Sequence, residues 1–166
     1  MNYNKKRHLE LLQTVKRPKE LLNISQEERS ERHDEIIMLE FEFEQDEKVQ
    51  ELYYYNYLLN NHLHWEYRTQ YFELIQEMLD GQINFEKLKK KVDLIEKAIT
   101  YLRDNLILLE PNKKSEGFTP ALINNILAFD DDYRPRKGFS DEDKVYEEEF
   151  KKRIKDSFIK IKERYL

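Results

Sequence analysis

The chain has no cysteine, three glycines and four prolines among its 166 residues. Without thiols there is no disulfide framework, no thiolate zinc site and no cysteine nucleophile. Three scattered glycines cannot build a loop that cradles phosphate. No apolar run approaches the ~20 residues of a membrane-spanning helix, and the segment from Met1 to Leu12 is too charged for a signal peptide. These absences lead us to expect a protein of the cytoplasm, or of an organelle's stroma or matrix if organelle-encoded, with no membrane partner. The one Asp-Gly pair, Asp80-Gly81, has helical patterns on both sides and reads as a helix stop, not as a hairpin.

What the chain does hold is charge and aliphatic bulk. Charged residues make up 38% of it, and Leu, Ile, Val and Phe together make up 28%. That exceeds the roughly 20% below which a charged chain stays disordered, so a core can form. Few breakers beside many Leu, Glu and Lys predict an all-α protein. The expected architecture is an antiparallel bundle of five or six helices over residues 46–166, with an N-terminal helical extension over 1–45.

The first helix is expected over 3–22, disturbed at Pro18. Ser25 with Glu28 has the form of a capping box and opens a helix that reaches Glu44. Inside it Ile37, Leu39, Phe41 and Phe43 alternate with Met38, Glu40, Glu42 and Glu44, a strand-like period in helical surroundings. A long helix follows over 47–79, with a break expected near Asn60-Asn61. Asn84 caps the next, in which Phe85, Leu88, Val92, Ile95, Ile99, Leu102, Leu106 and Leu109 form an a/d seam. Such a seam over 85–109 could support weak self-association. Pro111 stops that helix, and a polar, mobile loop is expected over 112–117. Thr119 with Pro120 at the first helical position opens a short helix to about 129. Ser140 caps a last helix to about Tyr165, its buried stripe being Tyr146, Phe150, Ile154, Phe158, Ile161 and Tyr165.

Motifs for catalysis are missing, so no enzyme and no cofactor are expected. No His has a Glu three positions before it, as di-iron bundles require. The best metal or acid–base candidate is His62, His64 and Glu66, in which His62 and Glu66 share a helix face; a solvated imidazole beside a carboxylate is the plainer account. Tyr53, Tyr54 and Tyr55 stand about 100° apart around a helix, so they cannot all face one core. At least one should be exposed, where tyrosine suits a protein-binding face.

Charge is segregated along the chain. Residues 25–52 carry 3 basic and 11 acidic groups, residues 117–149 carry 4 and 9, and residues 150–166 carry 7 and 2. The lysines of 87–91 and 151–155 read as solvated helix faces, with phosphate binding as the other use. Asp130, Asp131 and Asp132 follow a helix C-terminus, where negative charge is unfavourable. An unfavourable local choice points to a function. They lack the spaced carboxylates and glycine of a calcium loop, which favours a basic protein partner.

From Tyr67 onward the chain resembles the helical immunity proteins typified by the colicin D immunity protein. The resemblance rests on Tyr67-Arg68, Phe72, Leu74-Ile75, Leu79, Gly81, Ile83 and Phe85, and on the run from Leu127 to Pro135, an acidic Asp-x-Tyr-x-Pro segment followed by a capped basic helix. Met78 stands where the family carries Phe, and about 66 residues precede the matched region. The resemblance implies a small α-helical antidote that blocks the basic RNA-binding surface of a ribonuclease toxin. It places the partner-facing role on Asp130, Asp131, Asp132 and Tyr133, together with Asp141 and Glu142. The alternatives are a nucleic-acid accessory protein acting through the basic helix faces, which the overall acidity disfavours, and a self-associating scaffold.

Overall fold

The computed structural model describes residues 2–104, 110–127 and 141–166, the side chains of 141–147 excepted. Among the described residues the fold is all-α, with α1 at Lys5–Thr14, α2 at Gln26–Glu31, α3 at His33–Glu44 and α4 at Glu47–Glu66. The order continues with α5 at Arg68–Leu79, α6 at Phe85–Asp104, α7 at Phe118–Asn125 and α8 at Asp141–Tyr165. None of the described helices is long and apolar enough to cross a membrane.

Among the described residues eight helices stand where the sequence patterns mark six along the whole chain, because two long patterns are each divided by a single residue; five of the eight, α4 to α8, lie within 46–166. Arg32, at φ −110° and ψ 27°, separates α2 from α3. Tyr67, at φ −90° and ψ 10°, separates α4 from α5. The break expected at Asn60-Asn61 is therefore displaced, and both asparagines lie inside α4. The first helix is also shorter than expected. Pro18 disfavours helical backbone at the residue before it, and α1 ends at Thr14, with Val15 extended. The alternating run around Phe41 is helical, as expected.

The chain divides into two compact units, Met1–Leu59 and Asn60–Leu166, and α4 contributes residues to both. The division drawn at 45/46 from the sequence falls at the α3–α4 junction, where the Asp46 carboxylate accepts from Lys48 N at 2.8 Å and caps α4. In the first unit Leu11, Leu52 and Tyr55 form a core, with Tyr3, Leu12 and Leu58 packed against it. Buried His8 bridges Tyr3 Oη at 3.0 Å and Asn56 Oδ1 at 2.8 Å. Arg7 forks onto Glu51, and this pair lowers the Glu51 pKa below the ordinary carboxylate value. Of the tyrosine run, Tyr55 is buried and Tyr53 is exposed, as the helical geometry required.

In the second unit α5 packs on α6 and α8, and α7 packs on α8. Phe72 meets Phe118 and Phe158 edge-on, and Phe85 meets Phe150 in the same way. In the described part of the seam Phe85, Leu88, Val92 and Ile99 are buried in the chain's own core, while Ile95 and Leu102 are half-buried. Leu106 and Leu109 lie outside the described residues. The end of α8 is fixed twice, because Trp65 Nε1 donates to the Tyr165 carbonyl at 3.2 Å and Tyr165 Oη donates to the Glu116 carbonyl at 3.2 Å.

Two glycines have left-handed backbone. Gly81 closes α5, with Gln82 N donating to the Glu77 carbonyl at 2.9 Å and Gly81 N to the Met78 carbonyl at 3.1 Å. Gly117, at φ 79°, is the N-cap of α7, and a Cβ there would meet Tyr165 Oη at 3.1 Å. The expected Thr119 cap is thereby corrected: the cap moves two residues back, because only glycine tolerates this conformation beside the tyrosine. We expect Gly117→Ala to destabilise the protein by more than the roughly 1–2 kcal/mol of left-handed alanine alone. Gly81→Ala, with no atom within 4 Å of its Cβ, should show only that backbone cost. Urea midpoints of the two variants compare them directly.

Candidate functional site

Asp130, Asp131, Asp132 and Tyr133 lie outside the described residues. Asp141 and Glu142 occupy the first turn of α8, where carboxylates suit the helix dipole, and their side chains too lie outside the description. The expected cap, Ser140, lies outside the described residues, and α8 begins at Asp141.

The chemistry-bearing residues that are described gather at the end of α4. Its last two turns carry Asn60, Asn61, His62 and His64, three of them almost inaccessible to water. His64 Nδ1 lies 2.9 Å from the Asn60 carbonyl one turn back and 3.0 Å from Thr119 Oγ1. Its Nε2 lies 2.9 Å and 3.1 Å from the two carboxylate oxygens of Glu96 on α6. A carboxylate only accepts, so the imidazole donates there. Tyr71 of α5 donates to the same Glu96 at 2.7 Å. One half-buried carboxylate thus ties α4, α5 and α6 together.

Environment sets the titration of these groups. Burial raises the Glu96 carboxyl, but the hydrogen bonds from His64 and Tyr71 outweigh it and leave the pKa below the ordinary value. Burial, then the Glu96 hydrogen bond, push the Tyr71 phenol upward. His62 accepts the Asn112 backbone N–H on Nδ1 at 3.2 Å. Burial lowers its pKa, against a weaker pull from Glu66 at 3.8 Å. The expected His62, His64 and Glu66 cluster therefore does not converge. His62 serves the 112–119 segment, and His64 turns to Glu96 and Thr119.

The expected polar loop at 112–117 is pinned. Asn112 Oδ1 accepts from Lys114 N at 2.9 Å, Ser115 Oγ donates to the Asn112 carbonyl at 2.6 Å, and Ser115 is buried. Gly117 has no side chain with which to cap α7, and Asn61 of α4 supplies the missing acceptor: Thr119 N donates to Asn61 Oδ1 at 2.9 Å. That duty explains why fully buried Asn61 sits inside a helix and does not break it.

Thr119, His64 and Glu96 stand in the order hydroxyl, imidazole, carboxylate, which is the order of an activated nucleophile. Two facts oppose that use. The Asn60 carbonyl competes for the nitrogen that would have to accept the hydroxyl proton, and Thr119 is only 9% exposed. The arrangement holds helices together. Among the described residues no group of three or more His, Asp or Glu side chains is placed to hold a metal.

Sequence reasoning missed Glu96, Tyr71 and Thr119 as partners of His64, because the contacts span 32, 7 and 55 positions. One signal was present. Glu96 is four residues after Val92 and three before Ile99, which places a carboxylate on the buried stripe of α6.

On the surface, the lysines of 151–155 border a groove of ≈ 400 Å³ between the end of α5 and α8, whose lining includes Lys151, Lys152, Lys155 and Lys162. Asp80 is the one carboxylate in that lining, and Gln76 Nε2 donates to it at 2.9 Å. On α6, Lys91 approaches Glu77 at 3.5 Å.

Two expectations follow. Asn61→Ala leaves the Thr119 N–H buried without an acceptor and should cost about 1–3 kcal/mol in urea unfolding. The lowered His62 pKa means the unfolded state binds the proton more readily. Its contribution to stability is therefore complete above the ordinary histidine pKa and declines as the pH falls below it. Glu96, with a depressed folded pKa, adds a second loss as the pH falls on through the carboxylate range. Unfolding midpoints should thus drop from pH 7.5 to 5.5, and His62→Asn, which keeps an acceptor for Asn112 N, should flatten that first drop.

No protein-family model matches the chain, and neither a curated protein nor a solved structure does.

Proposed function

We propose that the chain is a non-catalytic, protein-binding helical module of the cytoplasm. On the resemblance of its second half to immunity proteins, we read it as an antidote that neutralises a basic ribonuclease-type toxin. The observation that carries the reading is where the chemistry sits. His64, Glu96, Tyr71, Thr119 and Asn61 are engaged with one another in joining helices, which leaves charge and surface shape as the means of action. Asp130, Asp131 and Asp132, with Tyr133, Asp141 and Glu142, would face the toxin. Charge-steered encounter followed by burial of an aromatic anchor is the physical logic.

The test is the association rate with a colicin D-type ribonuclease domain at several salt concentrations. Replacing Asp130, Asp131 and Asp132 together with Asn should slow association about tenfold at low salt and flatten its salt dependence. An unchanged rate removes these residues from the interface, and absence of binding by the unaltered chain removes the antidote reading.

The lysine-lined groove between α5 and α8 supports a second reading, binding of a phosphate backbone. That reading requires RNA affinity that falls steeply with salt and weakens on Lys152→Glu/Lys155→Glu.

A further inference from the structure

The alternating run in α3 has a consequence that the core does not absorb. Ile36 is 1% exposed and faces inward, with Leu39 and Phe43 half-buried beside it. On the opposite side Ile37 is 47% exposed, Met38 57% and Phe41 57%. Ile37 and Phe41 lie one turn apart and Met38 sits next to them, so the three make one apolar strip on the water side of the helix. A soluble helix normally places polar residues there.

The rim of this strip is acidic. Asp34, Glu42 and Glu44 are exposed and form no ion pair among the described residues; Glu42 and Glu44 flank the three side chains on the helical wheel, and Asp34 closes the strip one turn before Ile37 and Met38. Their neighbours are engaged: Glu35 pairs with Arg32 at 2.8 Å, and Glu40 with Arg17 at 2.9 Å and Arg29 at 3.5 Å. The uncommitted carboxylates are those that border the exposed apolar side chains. An apolar centre with a polar rim is the anatomy of a protein interface. Phe supplies a rigid anchor and Met an adaptable contact.

We infer that the outer face of α3 is a docking surface for a cationic amphipathic segment of a partner protein, with leucine-like side chains against Ile37, Met38 and Phe41 and lysines or arginines against Asp34, Glu42 and Glu44. The occupant follows from charge. A phosphate backbone or an anionic lipid surface is repelled by the rim. A second copy presenting the same face would set its carboxylates against these. The inference rests on the protein-binding reading above but places an interface on residues separate from 130–133.

The probe is a fluorescent helical peptide of leucine and lysine on opposite faces, titrated against the full chain by anisotropy, with an all-lysine peptide as control. Saturable binding to the amphipathic peptide is expected, with about tenfold loss in Met38→Ser/Phe41→Ser, which leaves the net charge unchanged. Asp34→Asn/Glu42→Gln/Glu44→Gln should weaken binding and reduce its salt dependence. The variant with Asn at 130, 131 and 132 should bind as the unaltered chain does, and this separates failure here from failure of the toxin reading. The substituted α3 side chains face water, so helicity and urea midpoint should hold in the α3 variants. Equal affinity for the Met38→Ser/Phe41→Ser variant, or equal binding of the all-lysine peptide, overturns the proposal. Self-association abolished by that variant also overturns it, because a second copy would then occupy the face.

Discussion

The second unit is organised around a carboxylate held between helices. Glu96 of α6 receives hydrogen bonds from His64 of α4 and Tyr71 of α5, while His64 and Asn61 reach Thr119 at the start of α7. A net hydrogen bond contributes only about 1 kcal/mol, but a buried polar group left unpaired costs about 1–3 kcal/mol. The network therefore acts mainly by excluding alternatives. A shift of α6 by one turn along α4 would take the Glu96 carboxylate away from His64 and Tyr71, and displacement of the 112–119 segment would separate Asn61 from the Thr119 N–H. Aliphatic packing among Leu88, Ile99, Ile75 and Ile154 supplies attraction but little register, since such side chains interchange at small cost.

This arrangement has a functional consequence. Imidazole, phenol, hydroxyl and carboxylate are all present within a few ångströms, and each is engaged by another of the set, with Glu96 half-buried and His64 and Tyr71 buried. What faces solvent is charge in blocks of opposite sign, a lysine-lined groove beside α8, and the apolar strip of α3 with its acidic rim. On the protein-binding reading proposed above, such surfaces would recognise a partner by charge steering and contact area.

Much of the local structure was legible in short-range patterns. Ser25, Asn84 and Asp80-Gly81 marked helix ends correctly because capping involves groups within four residues. The stripes of α6 and α8 were legible because a 3.6-residue period exposes one face to the core. Arg32 and Tyr67 were not legible as breaks, since neither is a breaker by type; each leaves helical backbone at the junction of two helices. The alternation around Phe41 has the period of a strand but lies in helix α3. It records a helix with apolar side chains on both faces, and only burial tells the two faces apart.

Composition and periodicity by themselves determined that the protein is helical, where α2, α4 and α6 begin and which stripe of α6 and α8 is buried, because those properties depend on neighbours a few positions apart. Tertiary structure alone decided that Asn61 caps a helix 58 positions away, that His64 pairs with Glu96 and not with a nearby acid, and that Gly117 must yield to Tyr165. Those outcomes depend on which helix faces meet in space, and partner choice between distant polar groups leaves no periodic trace in the chain.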